Sequence, residues 1–443
     1  MKVSKYNKFF NCNEGGTILA YNCLAGSLAT LTQEKYQLVK EILGSLSFDT
    51  DEKQNLWNDL LEGGFLIEDD VNELDILKIR NRTSRFDKSR FTLTILPTLN
   101  CNFQCSYCYE AKKNVTMNKE IQQTLIEYVE KKTKEAENFT PSWYGGEPLM
   151  VFDIVRNLHK EFDKICKANN CHYNSGGIIT NGYLLTKDIA LELKEMGIGM
   201  VQVTLDGPKD IHDQRRKLVN GAGTFDKIMQ NLSIAADILK GIAIRVNIDS
   251  TNVDQAIGVL DAIEKYDLKG KVSIYFAQVR AFTETCADIS SSCLMDQEYA
   301  SLEVKLMKQS LDQGFSITRY PRPRFSYCVA DHINSFVVDP TGYLYKCWSN
   351  PGVIDEAIGH ISNLDENKAK AKNLFKWLGW DVFERKECRQ CEVLPICMGG
   401  CPYLGLKLKE KKQGKCETSR YNFLDMLKLY YTSVSQKQVI KVG

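Results

Sequence analysis

The stretch Cys101-Asn-Phe-Gln-Cys105-Ser-Tyr-Cys108 places three cysteines within eight residues, just after an apolar run at 91–96 that is predicted to be a β-strand. Structural zinc usually takes four protein ligands, and no histidine lies nearby. Three thiolates can instead hold three irons of a four-iron cluster. The spacing therefore favours an iron–sulfur cluster whose fourth iron is open to another ligand and acts as a chemical site.

Beyond this loop, predicted strands and helices alternate. The strands are predicted at 91–96, 142–144, 177–180, 200–205, 242–248 and 272–276, and the helices at 117–137, 151–168, 187–196, 225–239, 253–266 and 297–313. This alternation predicts an α/β fold with a parallel sheet and crossover helices. A complete barrel needs eight units, so six predict a partial (β/α)6 TIM-like barrel. Its active site is expected at the carboxyl ends of the strands.

Composition narrows the class of protein. The chain has 443 residues, of which 43% are hydrophobic and 26% charged, and this balance argues against intrinsic disorder. The formal net charge of +1 provides no global attraction for nucleic acid or anionic membranes, so neither is expected as a partner. We find no apolar run long enough for a signal peptide or a membrane span. A cytoplasmic location is therefore expected.

The large number of cysteines is the unusual feature of the composition. The chain has 16 cysteines but five histidines, and in a reducing compartment the cysteines should not form disulfides. Many Cys and few His favour thiolate ligation of metal. Six cysteines outside the two clusters are expected to be ordinary thiols, mostly packed: Cys12, Cys23, Cys166, Cys171, Cys286 and Cys293.

The CX3CX2C triad after the first strand of a six-unit partial barrel resembles the signature of the radical S-adenosylmethionine (SAM) superfamily. The resemblance implies that Cys101, Cys105 and Cys108 hold a [4Fe–4S] cluster. It also implies that the open iron chelates the amino and carboxylate groups of SAM. Reductive cleavage then yields a 5′-deoxyadenosyl radical, which abstracts a hydrogen from the substrate, while the protein orients and shields this chemistry.

The segment Tyr144-Gly145-Gly146-Glu147-Pro148 follows the second predicted strand and looks like the GGE motif of that family. The glycines allow close approach of the backbone to a ligand. Glu147 can accept a hydrogen bond from an ammonium group. The resemblance implies that this segment, including Pro148, binds the amino end of SAM.

Three further residues are assigned to SAM by resemblance. Thr204 precedes Leu-Asp-Gly at the end of the fourth predicted strand, and Arg216 follows His-Asp-Gln-Arg. Both are expected to contact the cofactor, and Tyr107 is expected to pack near its adenine. The alternative for the region after the fourth strand is a turn with a solvated basic tail.

The last third of the chain carries seven cysteines and a glycine in the spacing of the SPASM domain of radical SAM enzymes. By resemblance, one auxiliary [4Fe–4S] cluster is held by Cys388, Cys391, Cys397 and Cys416, and a second by Cys328, Cys347 and Cys401. The total is then three clusters. The fourth ligand of the second auxiliary cluster is left open between Cys286, Cys293 and a free iron that could bind a substrate cysteine. The alternative is a zinc-binding fold.

The first 80 residues are predicted to form a small α+β unit, with strands at 17–21 and 26–31, helices at 33–46 and 52–63, and a wing strand at 65–67. This order suggests a winged helix-turn-helix. The acidic run at 68–75 argues against DNA binding, and 78–90 is predicted to be a polar, basic linker. The unit resembles the leader-recognition element of peptide maturases, which binds a leader as an added strand. A plain structural extension is the alternative.

Together these features predict three domains, at 1–85, 86–315 and 316–443: leader recognition, a radical SAM barrel and a loop-rich SPASM domain. The function expected from the resemblance is maturation of a ribosomally made peptide by a Cys thioether crosslink, with a flavodoxin- or ferredoxin-type reductant. Carbon–carbon cyclophane formation and epimerisation need the same cofactors. Sulfatase maturation is disfavoured, because Trp348 stands where such enzymes carry an acidic residue. A non-enzymatic electron carrier or zinc protein is the rival of another class.

Overall fold

The N-terminal part of the chain is a small α+β unit with its own apolar core. The computed structural model describes residues 1–12, 16–111, 113–316, 320–363, 368–407 and 416–440. The elements of this unit are β1 (Lys2–Val3), β2 (Asn7–Asn11), β3 (Ile18–Asn22), β4 (Leu28–Leu31), α1 (Gln33–Ser45), α2 (Asp51–Glu62), β5 (Leu66–Ile67) and α3 (Glu73–Arg85). Strands β2, β3 and β4 form an antiparallel sheet, and β1 pairs with β5. Helices α1 and α2 pack on this sheet through Val39, Ile42, Leu56 and Leu60.

Helix α3 corrects one sequence prediction. The linker predicted at 78–90 is wrong for most of its length, because α3 runs to Arg85. The side chain of Asn72 caps this helix by accepting a hydrogen bond from the Leu74 N–H at 3.1 Å. Leu77, Asn81 and Arg85 are buried along one side of it. Packing against distant parts of the chain stabilises this helix, and local composition does not report such packing.

The middle of the chain forms the parallel sheet that the sequence predicts. Its elements are β6 (Arg90–Ile95), α4 (Lys119–Thr133), β7 (Asn138–Trp143), α5 (Phe152–Ala168), β8 (His172–Tyr173), β9 (Gly177–Thr180), α6 (Lys187–Glu195), β10 (Met200–Thr204), α7 (Lys209–Arg215), α8 (Phe225–Ile238), β11 (Ile242–Ile248), α9 (Val259–Lys265), β12 (Ser273–Gln278) and α10 (Asp296–Asp312). Strands β6, β7, β9, β10, β11 and β12 lie side by side in chain order, all parallel. The carboxyl ends of six strands therefore meet along one edge.

The last third contains more regular structure than expected. Its elements are β13 (Ser335–Val338), β14 (Tyr343–Tyr345), β15 (Gly359–His360), α11 (Lys368–Leu378), α12 (Lys386–Arg389), α13 (Leu394–Cys397), α14 (Pro402–Lys407) and α15 (Ser419–Ile440). Strand β13 pairs in parallel with β6, and β14 and β15 extend the sheet further. The cysteine-rich part is thus joined to the barrel through the main sheet. Helix α15 is held on α10 by Asn422, whose Nδ2 donates to Glu303 Oε2 at 2.8 Å.

A second apolar core joins the two ends of the chain. Tyr6, Tyr21 and Cys23 of the N-terminal unit pack with Phe383 and Cys397 of the cysteine-rich part. A buried ion pair lies nearby: Arg85 Nε is 3.3 Å from Asp331 Oδ2, and both side chains are about 5% exposed. The N-terminal unit is therefore packed directly on the cysteine-rich part. In the described part of the chain, no helix combines the length and apolar character needed to cross a membrane.

Candidate functional site

A large cleft opens at the carboxyl ends of the barrel strands. Its empty volume, counting the open mouth, is about 1030 Å³. Cys101, Cys105 and Cys108 line it, together with groups in or just after the carboxyl-terminal halves of β7, β9, β10, β11 and β12. The loop that carries the cysteines is anchored across the cleft, because the Gln104 N–H donates to Lys217 O at 2.9 Å. The sheet thus brings the predicted cysteine triad to the edge where the sequence places the active site.

The three thiols of this loop influence one another. Burial raises the pKa of Cys101 to about 12, and the nearby charges of Glu147, Cys105 and Cys108 act in the same direction. A bound metal deprotonates such a thiol outright. Because three mutually close thiols face an open cleft, the donor set fits a cluster that keeps one coordination position for a ligand.

Gly145 and Gly146 are required by the close packing of two loops. Gly145 has a φ of +112°, and a Cβ there would lie 2.6 Å from Thr98 O. A Cβ on Gly146 would lie 2.1 Å from Asn100 O. The N–H of Gly146 donates to Thr98 O at 3.1 Å. Both glycines line the cleft, and they hold its floor against the backbone that leads into Cys101.

Glu147 is fully buried and accepts three hydrogen bonds from the protein. Its carboxylate accepts from Thr180 Oγ1 at 2.7 Å, from the Asn181 N–H at 2.7 Å and from the Leu149 N–H at 3.0 Å. Burial raises the pKa of Glu147, whereas the hydrogen bonds from Asn181 and Thr180 oppose that rise. The carboxylate therefore ties the end of β7 to the end of β9, beneath the cleft, and Pro148 begins the buried turn that follows.

Thr180 and Asn181 are site residues to which the sequence analysis assigned no role. Both line the cleft, and the Asn181 amide also donates to Asn102 Oδ1 at 2.7 Å, within the cysteine loop. Their position at the end of a predicted strand was the available signal. Their partner, Glu147, lies 33 positions away from Thr180, and the sequence alone does not reveal this pairing.

Arg216, Tyr107 and Thr204 all line the cleft. Arg216 Nη1 donates to the Tyr107 hydroxyl at 2.7 Å, and Asn247 Nδ2 donates to the same oxygen at 3.1 Å. Arg216 Nε is buried and has no hydrogen-bond partner within the described residues. A buried cationic donor without a partner suits an anionic ligand group.

Arg215, the neighbour of Arg216, is instead paired with carboxylates of the protein. Its guanidinium donates two hydrogen bonds of 2.9 Å to Asp249 and lies 4.9 Å from the centre of the Tyr107 ring. Its Nε donates to Asp206 at 3.3 Å. Both arginines are less than 9% exposed. The alternative of a solvated basic tail is therefore wrong for this pair, since both guanidinium groups are buried and donate hydrogen bonds to other side chains.

An aromatic wall forms part of the cleft. The hydroxyls of Tyr109 and Tyr144 share a hydrogen bond, and the rings of Tyr144 and Trp348 lie 5.0 Å apart with planes tilted by 30°. All three side chains line the cleft. Because Trp348 follows Cys347 directly, this wall connects the cleft to the cysteine-rich part.

The cysteines of the last third fall into two neighbourhoods. In the first, burial raises the pKa of Cys347 to about 12 and that of Cys328 to about 11. The charge of Cys401 adds to the rise at both thiols, and that of Cys328 adds to the rise at Cys347. Cys328, Cys347 and Cys401 are thus near one another, as the resemblance implied.

In the second neighbourhood, burial raises the pKa of Cys388, and the charges of Cys391 and Cys416 add to that rise. The pKa of Cys397 is raised to about 11, chiefly by burial, with Cys388 contributing. Arg420 Nη1 lies 2.8 Å from Cys391 Sγ. Within the described ranges, no three His, Cys, Asp or Glu side chains close around the position of a single metal ion.

Cys286 and Cys293, the two candidates for an extra ligand, are neighbours of each other. The pKa of Cys293 is raised chiefly by burial, and the charges of Asp249 and Cys286 add to that rise. Cys286 Sγ donates to Thr283 O at 3.4 Å, and Cys293 Sγ donates to Ile289 O at 3.4 Å. Both thiols therefore bond to backbone carbonyls in their own segment.

Comparison with known sequences agrees with this site. Residues 95–263 match the Radical SAM superfamily. A cysteine-type anaerobic sulfatase-maturating enzyme of Clostridium novyi is 29% identical over 331 residues, which cover 68% of this chain and 85% of that protein. The radical SAM cyclopropyl synthase TigE of Paramaledivibacter caminithermalis is 21% identical over 449 residues, which cover 91% and 88%.

Solved structures share the fold. Native anSMEcpe with bound AdoMet and Kp18Cys peptide matches with a TM-score of 0.57 and 19% identity, covering 79% of this chain and 99% of that one. Streptococcus suis SuiB bound to precursor peptide SuiA matches with a TM-score of 0.54 and 12% identity, covering 94% and 98%. The second match spans the N-terminal unit as well as the barrel.

Proposed function

We propose that this chain, in which residues 95–263 form a radical SAM domain, modifies a ribosomally made precursor peptide and forms a Cys thioether crosslink. One observation carries the cofactor part of the proposal. Three thiols open onto the same cleft as the buried, partnerless Nε of Arg216. A cluster with one open iron and a bound SAM use both features.

The chain's own residues would hold these cofactors as follows. Cys101, Cys105 and Cys108 would ligate the cluster, and the backbone at Gly145 and Gly146 would face the amino end of SAM. Arg216 would pair with the SAM carboxylate. When bound, the cofactors supply one-electron cleavage of SAM and a radical that abstracts hydrogen.

Other residues act by positioning the site. Glu147 fixes the turn that carries the two glycines through its bonds to Thr180 and Asn181. Tyr107 holds the Arg216 guanidinium through its hydroxyl, and its ring would flank the adenine. Thr204 lies at the rim, where a hydroxyl can bond to the cofactor.

The cysteine-rich part would hold two auxiliary [4Fe–4S] clusters in a SPASM domain. The two neighbourhoods of mutually close thiols support this assignment. The cluster of Cys328, Cys347 and Cys401 would keep an open iron, since Cys286 and Cys293 bond within their own segment. We propose domain limits of 1–85, 86–315 and 316–443.

A peptide substrate is supported by the N-terminal unit. Its three-stranded sheet has two free edges, β2 and β4, within the described residues, and a leader could add a strand to either. SuiB, crystallised with a precursor peptide, matches this chain over 94% of its length. A flavodoxin- or ferredoxin-type protein would supply electrons.

Sulfatase maturation is the second candidate, because a sulfatase-maturating enzyme is 29% identical to this chain. Trp348 disfavours it. The indole packs against Tyr144 at the cleft wall, and it has no acid–base group to take the place of the acidic residue that those enzymes carry. Cyclophane formation and epimerisation are further outcomes that use the same cofactor set.

Anaerobic co-expression with the small Cys-containing peptide encoded nearest the gene tests the proposal by mass spectrometry. Loss of two hydrogens per crosslink, with one thiol lost to alkylation each time, supports a thioether. The same loss with all thiols free indicates carbon–carbon coupling. An unchanged mass with deuterium uptake from heavy water indicates epimerisation. An unchanged mass without uptake contradicts modification of that peptide.

A further inference from the structure

Arg245 is a cation in the cleft that has no acidic ion-pair partner among the described residues. It lies on β11 and lines the cleft. Its Nε donates to Asn247 Oδ1 at 2.8 Å, and its guanidinium lies 5.9 Å from the centre of the Tyr275 ring. No carboxylate of the described residues lies within ion-pair distance of it. Both identified contacts of this guanidinium are therefore with uncharged groups.

The other arginines of the site differ in this respect. Arg215 is paired with Asp249 at 2.9 Å, and Arg280 is paired with Asp296 at 2.7 Å. Arg216, like Arg245, has no carboxylate within ion-pair distance in the described residues. The cleft therefore presents two guanidinium groups that the protein does not neutralise by direct pairing.

These two groups belong to one hydrogen-bond network, but they have different immediate neighbours. Arg245 donates to Asn247, and Asn247 and Arg216 both donate to the Tyr107 hydroxyl. Arg216 feels the charge of Cys105, whereas the other neighbours of Arg245 are the tyrosines Tyr275, Tyr109 and Tyr144. SAM brings a single carboxylate, and Arg216 is the group placed to take it. Arg245 then remains for a second anion.

A second unpaired group points to a peptide as the source of that anion. Gln278 Oε1 is buried at the cleft with no hydrogen-bond partner in the described part of the chain, although its Nε2 donates to Leu294 O at 2.8 Å. Buried acceptors normally have a donor. A peptide supplies both missing partners, since its backbone N–H can serve Gln278 and a carboxylate can serve Arg245.

We propose that Arg245 binds a carboxylate of the substrate peptide, an Asp or Glu side chain or the C-terminal carboxylate, and so positions the residue that is modified. This inference rests on the proposed function. A planar guanidinium can bind a carboxylate with two parallel hydrogen bonds, which fixes orientation as well as affinity. Arg245 is thus a specificity-determining residue of the cleft.

Peptide probes test this without knowledge of the natural substrate. The anaerobically reconstituted holoprotein with SAM is titrated with N-acetyl-Ala-Asp-Ala-amide and N-acetyl-Ala-Glu-Ala-amide, and with their Asn and Gln isosteres. N-acetyl-trialanine with a free carboxyl terminus forms a further arm. Binding is followed by saturation-transfer NMR. Wild type should bind at least one carboxylate probe about tenfold or more tightly than its uncharged counterpart, and the preferred arm identifies the source of the carboxylate.

Three variants locate the effect. Arg245→Met should erase the preference, and Arg245→Lys should keep part of it because the charge remains. Arg280→Met is the matched control: it removes a cleft guanidinium that Asp296 already neutralises, so the preference should persist. Iron content and SAM affinity, measured for each variant, show whether the cofactor site is intact.

Several results would overturn the inference. These are equal binding of charged and uncharged probes by wild type, absence of binding by every carboxylate probe, and a preference that survives in Arg245→Met. Loss of SAM affinity in Arg245→Met would place the residue in the cofactor site instead. The holoprotein could show the preference and still leave the precursor peptide unmodified. That result would support the role of Arg245 and contradict the proposed crosslinking function.

Discussion

The cysteines of the barrel and those beneath the N-terminal unit lie in different surroundings. Cys101, Cys105 and Cys108 open onto a cleft of about 1030 Å³, a volume that counts its open mouth. Cys397, by contrast, is buried in a core shared with Tyr6 of the N-terminal unit, and Cys388 and Cys391 pack at the edge of that core. The first group has room for a ligand at its side, whereas the second borders a packed core.

This difference suggests a division of labour. A cluster with three thiolate ligands in an open cleft can bind and activate a small molecule, whereas a cluster with four thiolate ligands is suited to hold or pass electrons. Cys391 also has Arg420 at 2.8 Å from its sulfur, and a cation beside a thiolate stabilises negative charge.

Removing one thiol from each group gives the largest expected effect. Cys105→Ala should abolish SAM cleavage while retaining about two thirds of the iron, because the two proposed auxiliary clusters keep all their cysteines. Cys391→Ala, the matched change in the second group, should lose iron but keep SAM binding. Iron analysis and assay of 5′-deoxyadenosine check both variants. Cleavage that persists in Cys105→Ala would refute the assignment of the barrel triad.

The packing between the N-terminal unit and the cysteine-rich part can be weakened at a buried ion pair. Arg85→Met should lower the free energy of unfolding by about 3–5 kcal/mol, because it leaves Asp331 buried and unpaired. Arg82 is the matched control: it is 62% exposed and 3.7 Å from Asp381. Arg82→Met should cost less than about 1 kcal/mol. Anaerobic urea titration measures both, and equal losses would show that the Arg85 pair does not stabilise this interface.

The shape of the open cleft can be changed at Gly146, where two loops pack closely. Gly146→Ala should raise the Kd for SAM by about tenfold or more, since a Cβ would lie 2.1 Å from Asn100 O and displace the cysteine loop. Gly199→Ala serves as the control, because a Cβ there meets no atom within 4 Å. Equilibrium binding of SAM measures the effect. Unchanged affinity in Gly146→Ala would mean that this contact does not shape the site.

The smallest effect concerns His212, a buried histidine close to Arg216. Burial lowers the pKa of His212, and the charges of Arg216 and Arg215 lower it further. The native state thus holds this imidazole neutral, whereas the unfolded chain protonates it near pH 6.5. Stability is therefore fully present above about pH 6.5 and should fall below it by about 1 kcal/mol per pH unit. His212→Gln should remove this component, and identical pH slopes in the two proteins would contradict it.

The sequence predicted those features that depend on local pattern. Alternation of strands and helices predicted a parallel sheet with crossover helices, which is confirmed. The family resemblance implied that Cys101, Gly145 and Arg216 would meet at its edge, and all three line the cleft. Periodicity suffices here because each strand pairs with its neighbour in the chain.

Features that depend on distant pairing could not be predicted in this way. Strand β13 joins β6, with Ser335 opposite Thr92, and nothing in either segment alone indicates this partner. Adjacent Arg215 and Arg216 take different roles because Asp249 lies within reach of one of them. Helix α3 likewise depends on burial of Leu77 and Arg85 against other parts of the chain.

Electron–nuclear double resonance tests most directly whether Cys101, Cys105 and Cys108 leave one iron to SAM. The sample is the reduced protein with SAM labelled with nitrogen-15 at the amino group, and Arg245→Met serves as a comparison in which the triad is untouched. A coupling between the label and the cluster is predicted in both proteins. Its absence, with SAM bound at saturation, would contradict the proposed chemistry of the cleft.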